Sequence, residues 1–257
     1  MHWVLQDHFF NDAAFQLLQA GLAAQDTPCT VVQLTRGRGT IEPDLDISGP
    51  VYAHGGSGLC AVAQAKGWVP GYFGDNLDYR LLMQHHGHHM LNHDARIQAL
   101  KDVHPEEPIL FFRPVDDLKR FSGKVLGRDE FTAWRDALLA NPGEGHMSSL
   151  RGEDLVVVAT PKTLYAEYRF QVIDGTVVTG SSYKRGNQPY FTDQIDDSIH
   201  RFAQARADSW CPNRGFCLDI ADTPNGLKVV EINAINSSSF YACDIGKFIQ
   251  AINSLAR

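Results

Sequence analysis

The chain has 257 residues, a formal net charge of -7 and 44% hydrophobic residues, the composition of a globular chain able to build one large domain or two small ones. The acidic balance excludes a surface that grips nucleic acid over its whole extent, and no apolar run approaches the ~18–20 residues that span a bilayer. Five cysteines without a Cys-x-x-Cys pair read as small buried apolar residues in a reducing cytoplasm rather than as a disulfide framework.

The first residues, Met1-His2-Trp3-Val4-Leu5-Gln6-Asp7, carry neither a basic nor a long apolar region, so no signal peptide is expected. Strands are predicted at 3–5, 29–34 and 50–53, with helices at 12–22 and 59–66. This alternation describes a small, mostly parallel α/β layer. His54-Gly55-Gly56-Ser57-Gly58 lacks the last glycine of G-x-S-x-G and the lysine of a P-loop, so it reads as a tight strand-to-helix turn. A secondary role there is an anionic substrate group at the helix N-terminus.

Beyond Trp68-Val69-Pro70-Gly71, a polar helical stretch is predicted over 77–101. It includes His85, His89 and His93, four apart and therefore one stripe of a helix. No cysteine or acid stands at ligand spacing and Gly87 interrupts the run, so an exposed polar face lining the acceptor cleft is favoured over a Zn²⁺ or Ni²⁺ site. His104-Pro105-Glu106-Glu107-Pro108 is the expected boundary between domains 1–107 and 108–257. After it come a strand at 109–113 and a helix at 129–139. Strands at 155–159, 165–173, 176–182, 216–221 and 229–233 follow, with helices at 196–207 and 245–255. Asp174-Gly175 between two β-branched runs is a hairpin signal.

The chemistry concentrates in the last hairpin. Thr223-Pro224-Asn225-Gly226 is turn chemistry, and a turn centred on Asn225 sets Asp219 opposite Glu231. Alternation puts Asn233 on the same face, while Phe216, Leu218, Ile220, Val230 and Ile232 form the buried side. Two carboxylates opposite each other repel by ~0.2–1 kcal/mol unless compensated. A divalent cation is the natural compensation, and Asp, Glu and Asn oxygens suit Mg²⁺. Basic residues lie upstream: Arg113 at a strand end, Lys119 in the loop after it, then Lys162, Arg169 and Lys184. Glu167 and Arg169 share one strand face, with Tyr168 and Phe170 on the other.

These segments together resemble a known family. The order is Arg113-Pro114, Asp117, Lys119, Phe121 and Gly123, then Pro161-Lys162, Glu167-Tyr168-Arg169 and Ser181 with Tyr183. It closes with Asp219, Gly226, Val229-Val230-Glu231-Ile232-Asn233-Ala234, Phe240-Tyr241 and Cys243-Asp244. The pattern is similar to the ATP-grasp superfamily, and within it to the divergent clade that includes the eukaryotic cell-division-cycle regulator of translation initiation and phage and bacterial relatives. The front half is similar as well, through Gly55-Gly56-Ser57-Gly58, Trp68-Val69-Pro70-Gly71-Tyr72-Phe73 and the run from Met90 to Arg96.

The resemblance implies an α+β ATP-grasp fold behind a small α/β pre-grasp domain. It makes Lys119 a phosphate-binding lysine supported by Arg113, and places Val157, Val158, Ala159 and Lys162 in a hinge beside the adenine. It gives Arg169 the transferred phosphate, oriented by Glu167, and Lys184 another phosphate contact. Asp219, Glu231 and Asn233 would hold Mg²⁺. The implied activity is ATP- and Mg²⁺-dependent carboxylate–amine ligation through an acylphosphate, with a donor and acceptor drawn from amino acids, peptides or proteins. The alternative is an ATP-binding, chaperone-like assembly factor without ligase activity.

Overall fold

The computed structural model describes residues 1–35, 39–74, 77–116, 123–141 and 150–256. The chain opens with β1 (His2–Gln6), α1 (Asp12–Ala24), β2 (Cys29–Thr35), β3 (Thr40–Glu42), β4 (Val51–His54), α2 (Ser57–Ala65) and the two-residue β5 (Pro70–Gly71). The sheet order is β3-β2-β1-β4-β5, parallel apart from the β2–β3 pair. β4 is buried at every residue, as a parallel strand covered on both faces must be. Leu18 and Leu22 of α1 pack with Trp3 and Leu5 on one side. Leu59, Val62 and Ala63 of α2 pack with Val4, Val32 and Ala53 on the other. The expected parallel layer and the tight Gly55-Gly56 turn into α2 are both present, with Gly56 as the N-cap.

The long helix expected over 77–101 is a correction. α3 covers only Tyr79–His86, capped by the Asp78 side chain, and stops at Gly87 with φ 49 and ψ -124. A single 3-10 turn, Gly87–His89, follows. Met90 then bridges to Val229, and the Leu91 N–H donates to the Val229 carbonyl at 2.8 Å. Pairing with a sheet edge has overridden helical propensity. The histidine stripe is therefore not a helix face: His85 stacks on Trp210 at 4.3 Å and 3°, and His86 is buried. Among the described residues no group of three or more His, Cys, Asp or Glu could hold a metal ion.

β6 (Arg96–Ala99), β7 (Ile109–Pro114), β8 (Lys124–Gly127) and β9 (Leu155–Ala159) form an antiparallel sheet in the order β6-β9-β7-β8. α4 (Arg128–Ala140) covers one face, its Phe131 and Leu138 against Leu110, Phe112, Val156 and Val158. β6 precedes the 107/108 boundary expected from sequence, so the hydrogen-bonded sheets change over between Gly71 and Arg96.

β10 (Ala166–Ile173), β11 (Thr176–Arg185), β12 (Gln188–Thr192), α5 (Asp197–Ser209), β13 (Gly215–Thr223), β14 (Gly226–Ala234) and α6 (Ile245–Ser254) complete the chain. The third sheet, β12-β11-β10-β13-β14, is antiparallel throughout. Asp174 and Gly175 take φ 45 and 77 in the β10–β11 turn, as the two-residue hairpin signal requires. One face, bearing Phe170, Leu218 and Ile220, is filled by Tyr79 and Leu82 of α3 and Ile199 and Ala203 of α5. Toward the other, Phe248, Ile249 and Ile252 of α6 join Cys217, Trp3 and Tyr52 and so tie the third sheet to the first. Among the described residues no helix is long and apolar enough to cross a membrane.

Candidate active site

The β13–β14 hairpin builds the site. Its two-residue turn pairs Thr223 with Gly226, and the Thr223 hydroxyl donates to the Gly226 carbonyl at 2.7 Å. Near the turn Ile220 faces Val229, one residue out of step with a turn centred on Asn225. A bulge between Asp219 and Ile220 absorbs Val230 and restores the expected step, so Asp219 faces Glu231 and Cys217 faces Asn233. The carboxylate pairing holds by this different route. The assignment of Val230 to the buried side is corrected: Val229 and Ile232 are the core residues, and Val230 with Glu231 lies between them on the opposite side. Bulges re-aim side chains in this way.

Asp219 lies beside Arg169 on the neighbouring strand β10. Arg169 donates from Nε to Oδ1 at 2.8 Å and from Nη2 to Oδ2 at 2.6 Å, a bidentate pair with both side chains buried. Arg113, at the end of β7, donates to Glu231 Oε2 at 2.9 Å. Asn233 turns its amide nitrogen on both acids, 3.2 Å from Asp219 Oδ2 and 3.0 Å from Glu231 Oε1. The expected repulsion is thus compensated by two arginines. Burial pushes the Asp219 carboxyl above its ordinary pKa, against the pull of Arg169. Burial acts upward on Glu231 too, but Arg113, Asn233 and Arg169 outweigh it and hold that carboxyl below its usual range.

The donor set fits a hard divalent cation. Asp219, Glu231 and Asn233 present two carboxylates and an amide oxygen on one face of one hairpin, and Mg²⁺ completes such a shell with water and phosphate oxygens. Both acids already carry an arginine, a group whose planar fork matches phosphate as well as carboxylate.

Glu167 does not orient Arg169, and that expectation is corrected. Its carboxylate accepts from the Tyr183 hydroxyl at 3.0 Å and from Lys184 Nζ at 2.7 Å, because Lys184 is its cross-strand partner. Arg169 instead packs against the rings of Tyr241 and Tyr183, 5.2 and 5.8 Å from their centroids. These aromatic neighbours carried no assigned role in the sequence reading. Tyr183 stands two residues beyond Ser181, the cross-strand partner of Arg169, a register from which it could have been found. Tyr241 lies in a loop and offers no periodic signal.

Val157, Val158 and Ala159 lie in β9, hydrogen-bonded on both sides to β6 and β7. The Val157 and Val158 side chains fill two different cores. Lys162, beyond the strand, donates to Asp94 at 2.6 Å and Thr160 at 3.0 Å. It lines a cavity of about 380 Å³ with His93, Thr223, Asn225 and Lys228. The structure therefore brings together Arg113, Arg169, Asp219, Glu231 and Asn233, sets Glu167 and Lys184 alongside, and keeps Lys162 at the hinge. Lys119 lies outside the described residues.

Solved structures share this architecture. D-cycloserine synthetase DcsG aligns over 100% of this chain and 99% of its own at 13% identity and TM-score 0.66. The ATP-grasp ligase PsnB, complexed with a minimal precursor, aligns over 99% and 98% at 16% identity and TM-score 0.60. D-alanine–D-alanine ligase from Bacillus anthracis, complexed with ATP, aligns over 100% and 96% at 12% identity and TM-score 0.61. At such identities the likeness is one of fold. No curated protein matches the chain by sequence. A family model matches residues 61–252, and what it describes is an ATP-grasp domain, the third family of its clade. With most of its length matched by that model, the chain belongs to the ATP-grasp superfamily.

Proposed function

We propose that the protein is an ATP-dependent carboxylate–amine ligase working through an acylphosphate. The observation that carries this reading is the set of three oxygen donors on β13–β14 interleaved with two arginines from different sheets. Asp219, Glu231 and Asn233 hold Mg²⁺, which when bound neutralises charge on the terminal phosphates. Arg169 and Arg113 then exchange their carboxylates for phosphate oxygens, joined by Lys119 and Lys184. The cavity beside Lys162, with the backbone beyond Ala159, takes the nucleoside end. Val230 and Ala221 give the cleft an apolar wall.

A carboxylate oxygen of the donor substrate attacks the γ-phosphorus. The new O–P bond forms as the bond from γ-phosphorus to the bridging oxygen breaks, and ADP leaves. The amine nitrogen of the acceptor then attacks the acyl carbon. A C–N bond forms, the C–O bond to phosphate breaks, inorganic phosphate departs and the nitrogen loses a proton. Each step asks the chain for positioning and charge neutralisation rather than a protein nucleophile. The donor and acceptor are an amino acid, a peptide or a protein, and DcsG, PsnB and the alanine ligase carry names that fit this range. All five cysteines are free thiols, in keeping with a reaction in the cytoplasm.

The test is incubation with ATP, Mg²⁺ and fractionated extract, following ADP release and new covalent adducts by mass spectrometry. The expected result is extract-dependent ADP release with an amide adduct, abolished in Glu231→Ala and Lys119→Ala. Tight ATP binding without adduct or turnover overturns the ligase and favours the assembly factor. Unchanged ATP binding and turnover in both variants overturns the site.

A further inference from the structure

Arg169 has an arrangement that its ion pair alone does not explain. Both of its hydrogen bonds among the described residues, from Nε and Nη2, go to Asp219. If Asp219 turns to a metal ion, as the proposed function has it, the guanidinium loses that anchor at the moment it is needed. The rings beside it do not depend on Asp219. Tyr241 and Tyr183 stack on each other at 4.9 Å and 17°, and Phe191 extends the stack at 5.6 Å and 11°. Both tyrosine centroids lie within the ~6 Å range of a cation–π contact with Arg169.

The fixing of these rings is equally independent. Tyr183 is tied through its hydroxyl to Glu167. Tyr241 takes φ 53, a left-handed conformation that a non-glycine residue keeps only when its surroundings impose it. Here they do. The Cys243 N–H donates to the Phe240 carbonyl at 2.9 Å and closes the turn. The Ala242 N–H donates to Ser181 Oγ at 3.1 Å and the Asp244 N–H to Thr179 Oγ1 at 2.8 Å. Ser181 is the cross-strand partner of Arg169, so the loop is fastened at the level of the arginine it covers.

We propose that Tyr241, backed by Tyr183, is a positioning residue that holds the Arg169 guanidinium against the cleft once Asp219 has moved to the metal. This rests on the proposed function and adds to it how the arginine stays aimed at the transferred phosphate. A π-face suits the task because it restrains a planar cation without consuming its N–H donors.

The test is calorimetric titration of the full chain with ADP and Mg²⁺, with and without orthovanadate as mimic of the phosphoryl group in transfer. Wild type is compared with Tyr241→Phe, Tyr241→Leu and Tyr241→Gly. The glycine variant relieves the backbone while removing the ring, so its thermal stability separates a folding defect from lost positioning. ADP–Mg²⁺ affinity is expected within twofold of wild type in all three. The extra affinity conferred by vanadate falls about tenfold in the leucine and glycine variants and is kept in the phenylalanine variant. Vanadate tightening that survives in Tyr241→Leu and Tyr241→Gly, or that is lost equally in Tyr241→Phe, overturns the positioning role and leaves the ATP reading standing. A wild type that binds no ADP overturns both.

Discussion

Arg169 and Asp219 form a buried pair, and the two members are unequal in what their loss leaves behind. With Arg169 removed, Asp219 at 1% exposure stays beside Glu231 with no cation of its own. Removing one partner of such a pair typically costs 3–5 kcal/mol, whereas replacing both by apolar groups is often neutral. Arg169→Met is therefore expected to lose about 3–5 kcal/mol of unfolding free energy, and Arg169→Met with Asp219→Leu to recover most of it. Urea denaturation of the two variants checks this, and a double variant no more stable than the single one would contradict it. His54 supplies a second residue-level expectation. It is fully buried, stacked at 4.6 Å on Phe10 and 5.2 Å on Phe240, and desolvation pushes its pKa down to about 3. The unfolded chain takes up a proton near pH 6.5 and the folded one does not, so this stability is complete above that pH and lost as pH falls toward 3. Between pH 6 and 4 the slope from this residue is about 1.4 kcal/mol per pH unit. His54→Phe should flatten the stability–pH curve there by that amount, read from denaturation midpoints across the range.

At the scale of elements, the end of α3 shows what a single glycine decides. Gly87 combines φ 49 with ψ -124, and a Cβ placed there would meet nothing within 4 Å. Gly87→Ala therefore measures backbone strain alone, expected at about 1–2 kcal/mol, with no steric part. Equal chemical-denaturation midpoints for variant and wild type would show that the turn relaxes. The same glycine marks the limit of what the sequence made legible. Runs with a clear two-residue or helical period, such as β9, β10 and α6, were readable, as were the Asp174-Gly175 turn and the acid-bearing face of β13–β14. β3, β5, β8 and β12 have two to five residues each, too few to display a period against their flanks. The polar run after Leu77 has helical composition, but its later part is drawn out of the helix by pairing with β14, a contact between distant segments that local pattern does not encode. The same reason separates Asp219, Glu231 and Asn233, set by one hairpin, from the Arg113 and Tyr241 contacts, set by another sheet and a fastened loop.

Across the whole molecule, Arg113 on β7 and Glu231 on β14 join the second sheet to the third by one ion pair, its side chains 14% and 29% exposed. With Arg169–Asp219, this makes the site electrically self-sufficient: the formal charges of the two arginines and two acids cancel. A divalent cation arriving alone would have to displace arginines that then have no anion to receive them. A nucleotide triphosphate arriving with it brings those anions, so the acids pass to the metal while the arginines pass to phosphate. Metal and nucleotide should then bind as a coupled pair, each raising the affinity of the other by the same factor, within the ordinary range of about 5–150-fold. Mn²⁺ followed by electron paramagnetic resonance reports this directly. Wild type is expected to bind Mn²⁺ tightly with a non-hydrolysable ATP analogue and weakly without it. Arg113→Met frees Glu231, so it should bind Mn²⁺ better than wild type when nucleotide is absent and bind the analogue less well. Equal Mn²⁺ affinity in wild type with and without the analogue would mean that the arginines do not guard the acids. The net charge of -7 sharpens the expectation, since an acidic surface attracts cations generally and only this pairing would keep one from settling early at the centre of the cleft.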